Sequence, residues 1–194
     1  MMRLIRWGMI IALAAILPAA TTAASLVWGT GKWGDTWGTA SSSTSSAVLP
    51  SSSGTAVSTQ GGKPSTSVAK FSIGLTRDNG LTFQQSVGFG ENVEIIGYIT
   101  PELAQLGKTA DIYVLALVGQ TYFMRKANGS FVPWSGKIQD LVPYVVQKPL
   151  SESVKVDIYT GSLSVRGEIS IFIGYLRGDG VLYYITTPVK ITVN

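Results

Sequence analysis

The residues of this chain that could do chemistry are its carboxylates and its tryptophans. Beyond residue 67 the acids are Asp78, Glu91, Glu94, Glu102, Asp111, Asp140, Glu152, Asp157, Glu168 and Asp179. Two carboxylates flanking a sugar could run glycoside hydrolysis, but no spacing here singles out a pair. Glu91 and Glu94 are offset by three, which sends them to opposite faces of a strand. No Asp-x-Asp-x-Asp run forms a calcium loop. The chain has no histidine and no cysteine. The commonest general base and metal ligand is therefore missing, and a Ser-His-Asp triad is impossible. No Ser-x-x-Lys sits at a helix start. These features predict no metal, no cofactor and no enzymatic activity. They also exclude a disulfide framework and a cysteine-linked lipid anchor.

The tryptophans point to binding instead. Ser25 to Gly38 repeats Trp-Gly at Trp28, Trp33 and Trp37. Trp134 lies far downstream. Aromatic faces stack on sugar CH groups, so these four residues could hold a glycan. They could equally pack on the protein, or form a strand added to a partner subunit. The expected partners are a protein at the cell surface or a second copy, with a glycan as the alternative. Nucleic acid is excluded: the lysines are scattered singly, and phosphate binding needs clustered cations.

The start of the chain sets the compartment. Arg3 and Arg6 precede an apolar run from Trp7 to Leu17, then Pro18 and small residues to Ala24. This is the layout of a secretory signal peptide over 1–24, cut after Ala23 or Ala24. The run is shorter than the roughly 20 residues a bilayer span needs, so no stable membrane span is expected after cleavage. The formal charge of +4 falls to +2 without the two arginines, leaving thirteen basic against eleven acidic residues. The expected location is periplasmic, at the outer surface or extracellular.

The elements that must position these groups are strands. Phe71, Ile73 and Leu75 alternate with polar residues, as do Val154, Val156 and Ile158, and Val189, Ile191 and Val193. Period two means one buried and one wet face. Asp111 to Val118 is apolar at nearly every position, which predicts a central strand. Ile169, Ile171, Ile173 and Tyr175 mark another. Asp78-Asn79-Gly80, Asn128-Gly129 and Gly178-Asp179-Gly180 are hairpin signals. Single helical turns are expected after Thr100-Pro101-Glu102, with Thr100 as cap and Gly107 as stop, and around Ile138, Leu141 and Val142. The fold expected is all-β, an antiparallel immunoglobulin-like β-sandwich over 67–194. The Trp-Gly segment at 25–38 and a disordered Ser/Thr-rich linker at 39–66 would precede it, the linker holding too few large apolar groups to offset the entropy of ordering it.

Three short motifs read first as turns. Thr76 to Phe83 resembles the Asp-box of sialidases, whose Asp caps its own turn while the last aromatic pins the hairpin to a core. It occurs once, and it carries no catalytic groups. Arg177-Gly178-Asp179 is an integrin-type tripeptide at a hairpin tip. Asn128-Gly129-Ser130 fits a glycosylation acceptor.

Phe71 to Val193 resembles an immunoglobulin-like β-sandwich module found in secreted or surface proteins of Gram-negative bacteria. The likeness rests on Ala110-Asp111-Ile112-Tyr113-Val114, Gly119 with Tyr122-Phe123-Met124, Trp134, Gly174-Tyr175, Gly178-Asp179-Gly180, Tyr183-Tyr184 and Pro188. The resemblance implies an exported and non-enzymatic module. The expectation is thus a binding or structural module, one subunit of a cell-surface assembly. The alternatives are a carbohydrate-binding protein and a glycoside hydrolase with an unrecognised carboxylate pair.

Overall fold

The computed structural model describes Leu49 and residues 51–194. Twelve strands run through them: β1 (Ser51–Ser58), β2 (Ser65–Thr76), β3 (Ser86–Val87), β4 (Asn92–Thr100), β5 (Thr109–Val118), β6 (Thr121–Arg125), β7 (Phe131–Pro133), β8 (Val145–Pro149), β9 (Val154–Ser162), β10 (Gly167–Arg177), β11 (Val181–Ile185) and β12 (Val189–Val193). They pair in the order β7-β6-β5-β10-β11-β1-β2-β4-β9, with β8 beside β5 and β12 beside β10 and β3. All pairs are antiparallel except the two-residue β3–β12 contact. The expected antiparallel β-sandwich is what forms. No described helix is long and apolar enough to cross a membrane.

The sheet folds over itself at β1, which pairs β2 on one edge and β11 on the other. A register shift between Ser53 and Gly54 marks the corner. A Cβ on Gly54 would meet the Phe71 ring at 2.7 Å, so only glycine lets β1 lie this close. Between the two halves sits one core. Phe71, Ile73, Leu75, Ile95, Ile99, Val156 and Ile158 come from β2, β4 and β9; Ile112, Val114, Ile171, Ile173, Tyr175 and Ile191 come from β5, β10 and β12. These are the alternating residues of the sequence, placed on one face by the pleat.

Strand β1 corrects the linker boundary. Residues 51–58, and Ser65 with Thr66, were expected in the disordered linker, yet they form ladder pairs. Backbone hydrogen bonds on both edges hold β1, and Ala56 packs against the core. Composition registers neither, because pairing partners lie far along the chain. Residues 39–48 and 50 of the linker, the Trp-Gly segment and the signal peptide lie outside the described residues.

The helical turns are single 3-10 turns at Leu103–Gln105 and Ile138–Asp140. Glu102, not Thr100, holds the cap position of the first, with no side-chain cap. Gly107 does follow it with φ +77°. Under this turn runs a buried polar chain. The Tyr175 hydroxyl donates to Gln105 Oε1. Gln105 Nε2 donates to Glu102 at 3.1 Å, and Ser67 Oγ donates to the same carboxylate at 2.7 Å. Burial pushes the Tyr175 phenol up, with the Glu102 charge adding to it.

Candidate functional site: an apolar outer face

Where core residues alternate inward, their neighbours point out. On β1, β11, β10, β5, β6 and β7 those outward residues line up in cross-strand rows. One row is Val57, Leu182, Leu176 and Asp111. The next is Thr55, Tyr184, Gly174 and Tyr113. A third is Phe172, Leu115, Met124 and Val132, and a fourth is Ser170, Leu117 and Tyr122. Most of these side chains are apolar and half-buried. Tyr113 and Leu182 are buried outright.

Gly174 makes the second row possible. A Cβ there would meet the Tyr183 carbonyl oxygen at 2.6 Å and Tyr184 Cβ at 3.0 Å. With glycine, two tyrosines flank the bare backbone. Burial pushes the Tyr113 phenol up, and the Asp111 carboxylate adds to it. Burial likewise raises Tyr184, against a hydrogen bond with Thr55. Both hydroxyls are therefore neutral at physiological pH. Asp111, at the margin, is held by the Gln147 N–H at 2.9 Å.

Trp134 closes the face beyond β7. Its N–H donates to the Tyr122 carbonyl at 2.8 Å. Its Nε1–H donates to the Lys137 carbonyl at 3.0 Å. The indole meets Tyr122 edge-on, with ring centroids 5.9 Å apart at 88°, and Tyr122 in turn touches Phe172 at 6.1 Å. The three rings form a cluster rather than a coplanar strip. Of the sequence-predicted site residues, Trp134 alone lies among the described residues; Trp28, Trp33 and Trp37 do not.

The structure disperses the carboxylates among partners. Glu91 pairs with Arg77, Glu168 with Lys190 at 3.0 Å, and Asp157 with Lys155 at 2.9 Å. The Asp157 contact pushes the Lys155 amine up. Arg177 and Asp179 pair with each other at 2.7 Å across their turn, so the tripeptide closes a hairpin. Asn128 Oδ1 accepts the Ser130 N–H and hydroxyl within its own turn. No cluster of three His, Cys, Asp or Glu able to hold a metal occurs among the described residues.

The Thr76–Phe83 loop is a pinned turn. Asp78 accepts from the Thr82 N–H at 2.9 Å, the Thr82 hydroxyl at 2.6 Å and the Thr76 hydroxyl at 2.7 Å. These bonds, Thr82's first, lower the Asp78 pKa to about 2. Asn79 and Gly80 take positive φ, at 57° and 90°. Phe83 then lies over Gly74 beside Leu49, where a Cβ would collide with both.

Two features escaped sequence reasoning. Glu102, read only as part of a helical turn, anchors the buried polar chain. The outer face was visible in part: Asp111 to Val118 reads as apolar on both sides, which signals a central strand and equally a strand with a sticky outer face.

The fold and surface thus define a class: an antiparallel all-β sandwich with one apolar outer face. No family model and no curated protein sequence matches the chain. Among solved structures it is similar to the PmoD soluble domain from Methylocystis sp. ATCC 49242 (Rockwell), at 11% identity, 66% coverage of this chain, 94% of that one and a TM-score of 0.38. The functional reading therefore rests on this chain's own surface.

Proposed function

We propose that the chain is an exported, non-enzymatic binding or structural module, periplasmic, at the cell surface or extracellular, that engages a protein partner or a second copy. The observation that carries this is the set of apolar rows on β5, β6, β7, β10 and β11. Large apolar patches on soluble domains mark interaction sites. Leu115, Leu117, Met124 and Val132 offer a sugar no hydrogen-bonding groups and suit a protein surface. The non-enzymatic part is supported by the missing histidine and cysteine and by the pairing of most carboxylates with other groups. Trp28, Trp33 and Trp37 remain the second docking element of this reading.

The test is cross-linking of the full chain in its exported fraction, with partners identified by mass spectrometry. Leu117→Lys and Met124→Lys should remove the cross-links, while Lys70→Ala on the opposite sheet should not. Unchanged partners in the first two variants would overturn the reading. Trp134 supports a second reading, glycan binding at the Trp134–Tyr122 edge. Trp134→Ala on a glycan array tests it, and a signal that survives the substitution removes it.

A further inference from the structure

A second surface, independent of the outer face, comes from counting strands. From the corner strand β1, one half of the sheet ends after β2, β4 and β9. The other half continues through β11, β10, β5, β6 and β7. The two halves are three and five strands wide. Facing each other across one core, they leave β6 and β7 extending past β9. The outer edge of β9, nine residues long, pairs with no described strand.

One side chain reaches that edge. Arg125, at the end of β6, donates to the Asp157 carbonyl of β9. That carbonyl faces away from β4, so period two also turns the Lys155 N–H and carbonyl outward. The Arg125 guanidinium lies 4.4 Å over the Tyr144 ring. Its buried Nε has no acceptor among the described residues. Buried donors are normally satisfied, so this one is an unmet demand beside an open edge. Phe131, on β7, packs at the margin of the core next to it.

We propose that the β9 edge accepts an extended peptide segment of a protein partner as an added strand, lying over β6 and β7, with a carboxylate of that segment meeting Arg125. Main-chain bonds to the Lys155 N–H and carbonyl and the Asp157 N–H would supply affinity, the Asp157 carbonyl staying with Arg125, and alternate apolar side chains would rest beside Phe131. Charge complementarity fixes the acidic character. Lys155 and Asp157 neutralise each other at 2.9 Å, which leaves the Arg125 cation with a backbone carbonyl as its one hydrogen-bond partner among the described residues. A second copy pairing β9 to β9 is disfavoured, because both copies would bring their overhanging β6 and β7 to the same side.

The experiment uses the purified full chain and three short synthetic peptides. One alternates Val and Thr around a central Asp with Lys at its ends. The second replaces that Asp by Lys. The third copies residues 153–163. Fluorescence anisotropy should show the Asp peptide binding at least about tenfold tighter than its Lys twin, the size expected for a close charge pair. Hydrogen exchange at Lys155 and Asp157 should slow on binding. Lys155→Pro removes an outward N–H, leaves the β4 ladder intact, and should abolish binding. Arg125→Gln should keep binding but lose the preference for Asp. Equal affinity for the two designed peptides overturns the proposal. So does protection on β5 and β10 in place of β9. Tightest binding of the third peptide would make a second copy the occupant and overturn the acidic segment.

Discussion

The outer faces of the two half-sheets are built oppositely. On β2, β4 and β9 the outward residues are Lys70, Ser72, Glu94, Tyr98, Lys155 and Asp157. Where that face turns apolar, at Ile96 and Gly74, the arm of residues 78–84 covers it with Phe83, joined by Leu49. On β5, β6, β7 and β10 the outward residues are Leu115, Leu117, Met124, Val132, Phe172 and Tyr122, and no comparable described arm lies over them. A sheet facing water usually alternates apolar-in and polar-out. The first face obeys that rule except at Val68, which stands exposed on β2, and it covers its other exceptions. The second breaks it over four rows. That difference is what the proposed docking of a partner on the second face rests on.

The sharpest way to break this comparison is to fill the glycine beneath the second face. Gly174→Val would drive a side chain into the Tyr183 carbonyl and Tyr184. Overpacking against backbone that cannot yield should cost about 3 kcal/mol, seen as a melting temperature roughly 10 °C lower. A melting curve unchanged by the substitution would mean that the tyrosine row is not packed as described.

A smaller effect belongs to the core that both faces share. Tyr175→Phe removes the hydroxyl that donates to the buried Gln105 carbonyl. An acceptor left unpaired should cost about 1–3 kcal/mol in urea unfolding. The variant should leave partner cross-linking intact, since Tyr175 points inward.

Charge placed on the faces themselves should change stability least and binding most. Leu117→Lys should shift unfolding by about 1 kcal/mol or less, yet abolish cross-links. The same charge at Ser72, on the polar face, should do neither. Equal loss of binding from both positions would erase the contrast.

The gentlest test titrates the arm. The folded pKa of Asp78, about 2, lies below its ordinary 3.8. A depressed carboxylate stabilises the fold fully above its unfolded pKa, and that contribution is lost as pH falls through 3.8 toward 2. Hydrogen exchange of the Thr82 and Gly80 amides should therefore speed up as pH falls through this window, after correction for intrinsic rates. In Asp78→Asn that extra acid sensitivity should vanish. Protection on β5 should not follow the same curve.

Much of the fold was legible from local pattern. The alternation at Phe71–Leu75, Val154–Ile158 and Val189–Val193 named strands and core faces together, because the pleat makes both from one period. Asp78-Asn79-Gly80 and Gly178-Asp179-Gly180 named their turns, because positive φ demands those residue types. The helical turn after Pro101 was legible in place but not in detail: its cap position is Glu102, and that carboxylate is spent on Ser67 and Gln105. Of the site, only Trp134 was named, and its neighbours Tyr122 and Phe172 lie 12 and 38 residues away in the chain.

By itself, the sequence determined the all-β character, the chemistry the chain lacks and the identity of most strands. Those follow from residue type and a two-residue period, which are local. Tertiary structure decided that Ser51–Ser58 is a strand, since its ladder partners lie up to 131 residues away, as in Gly54 with Ile185. It decided which apolar side of Asp111–Val118 meets the core and which meets solvent. It also decided that β9 ends the sheet with Arg125 at its edge. Pairing and register are set by closing long loops and matching distant faces, and no short window of sequence contains both partners.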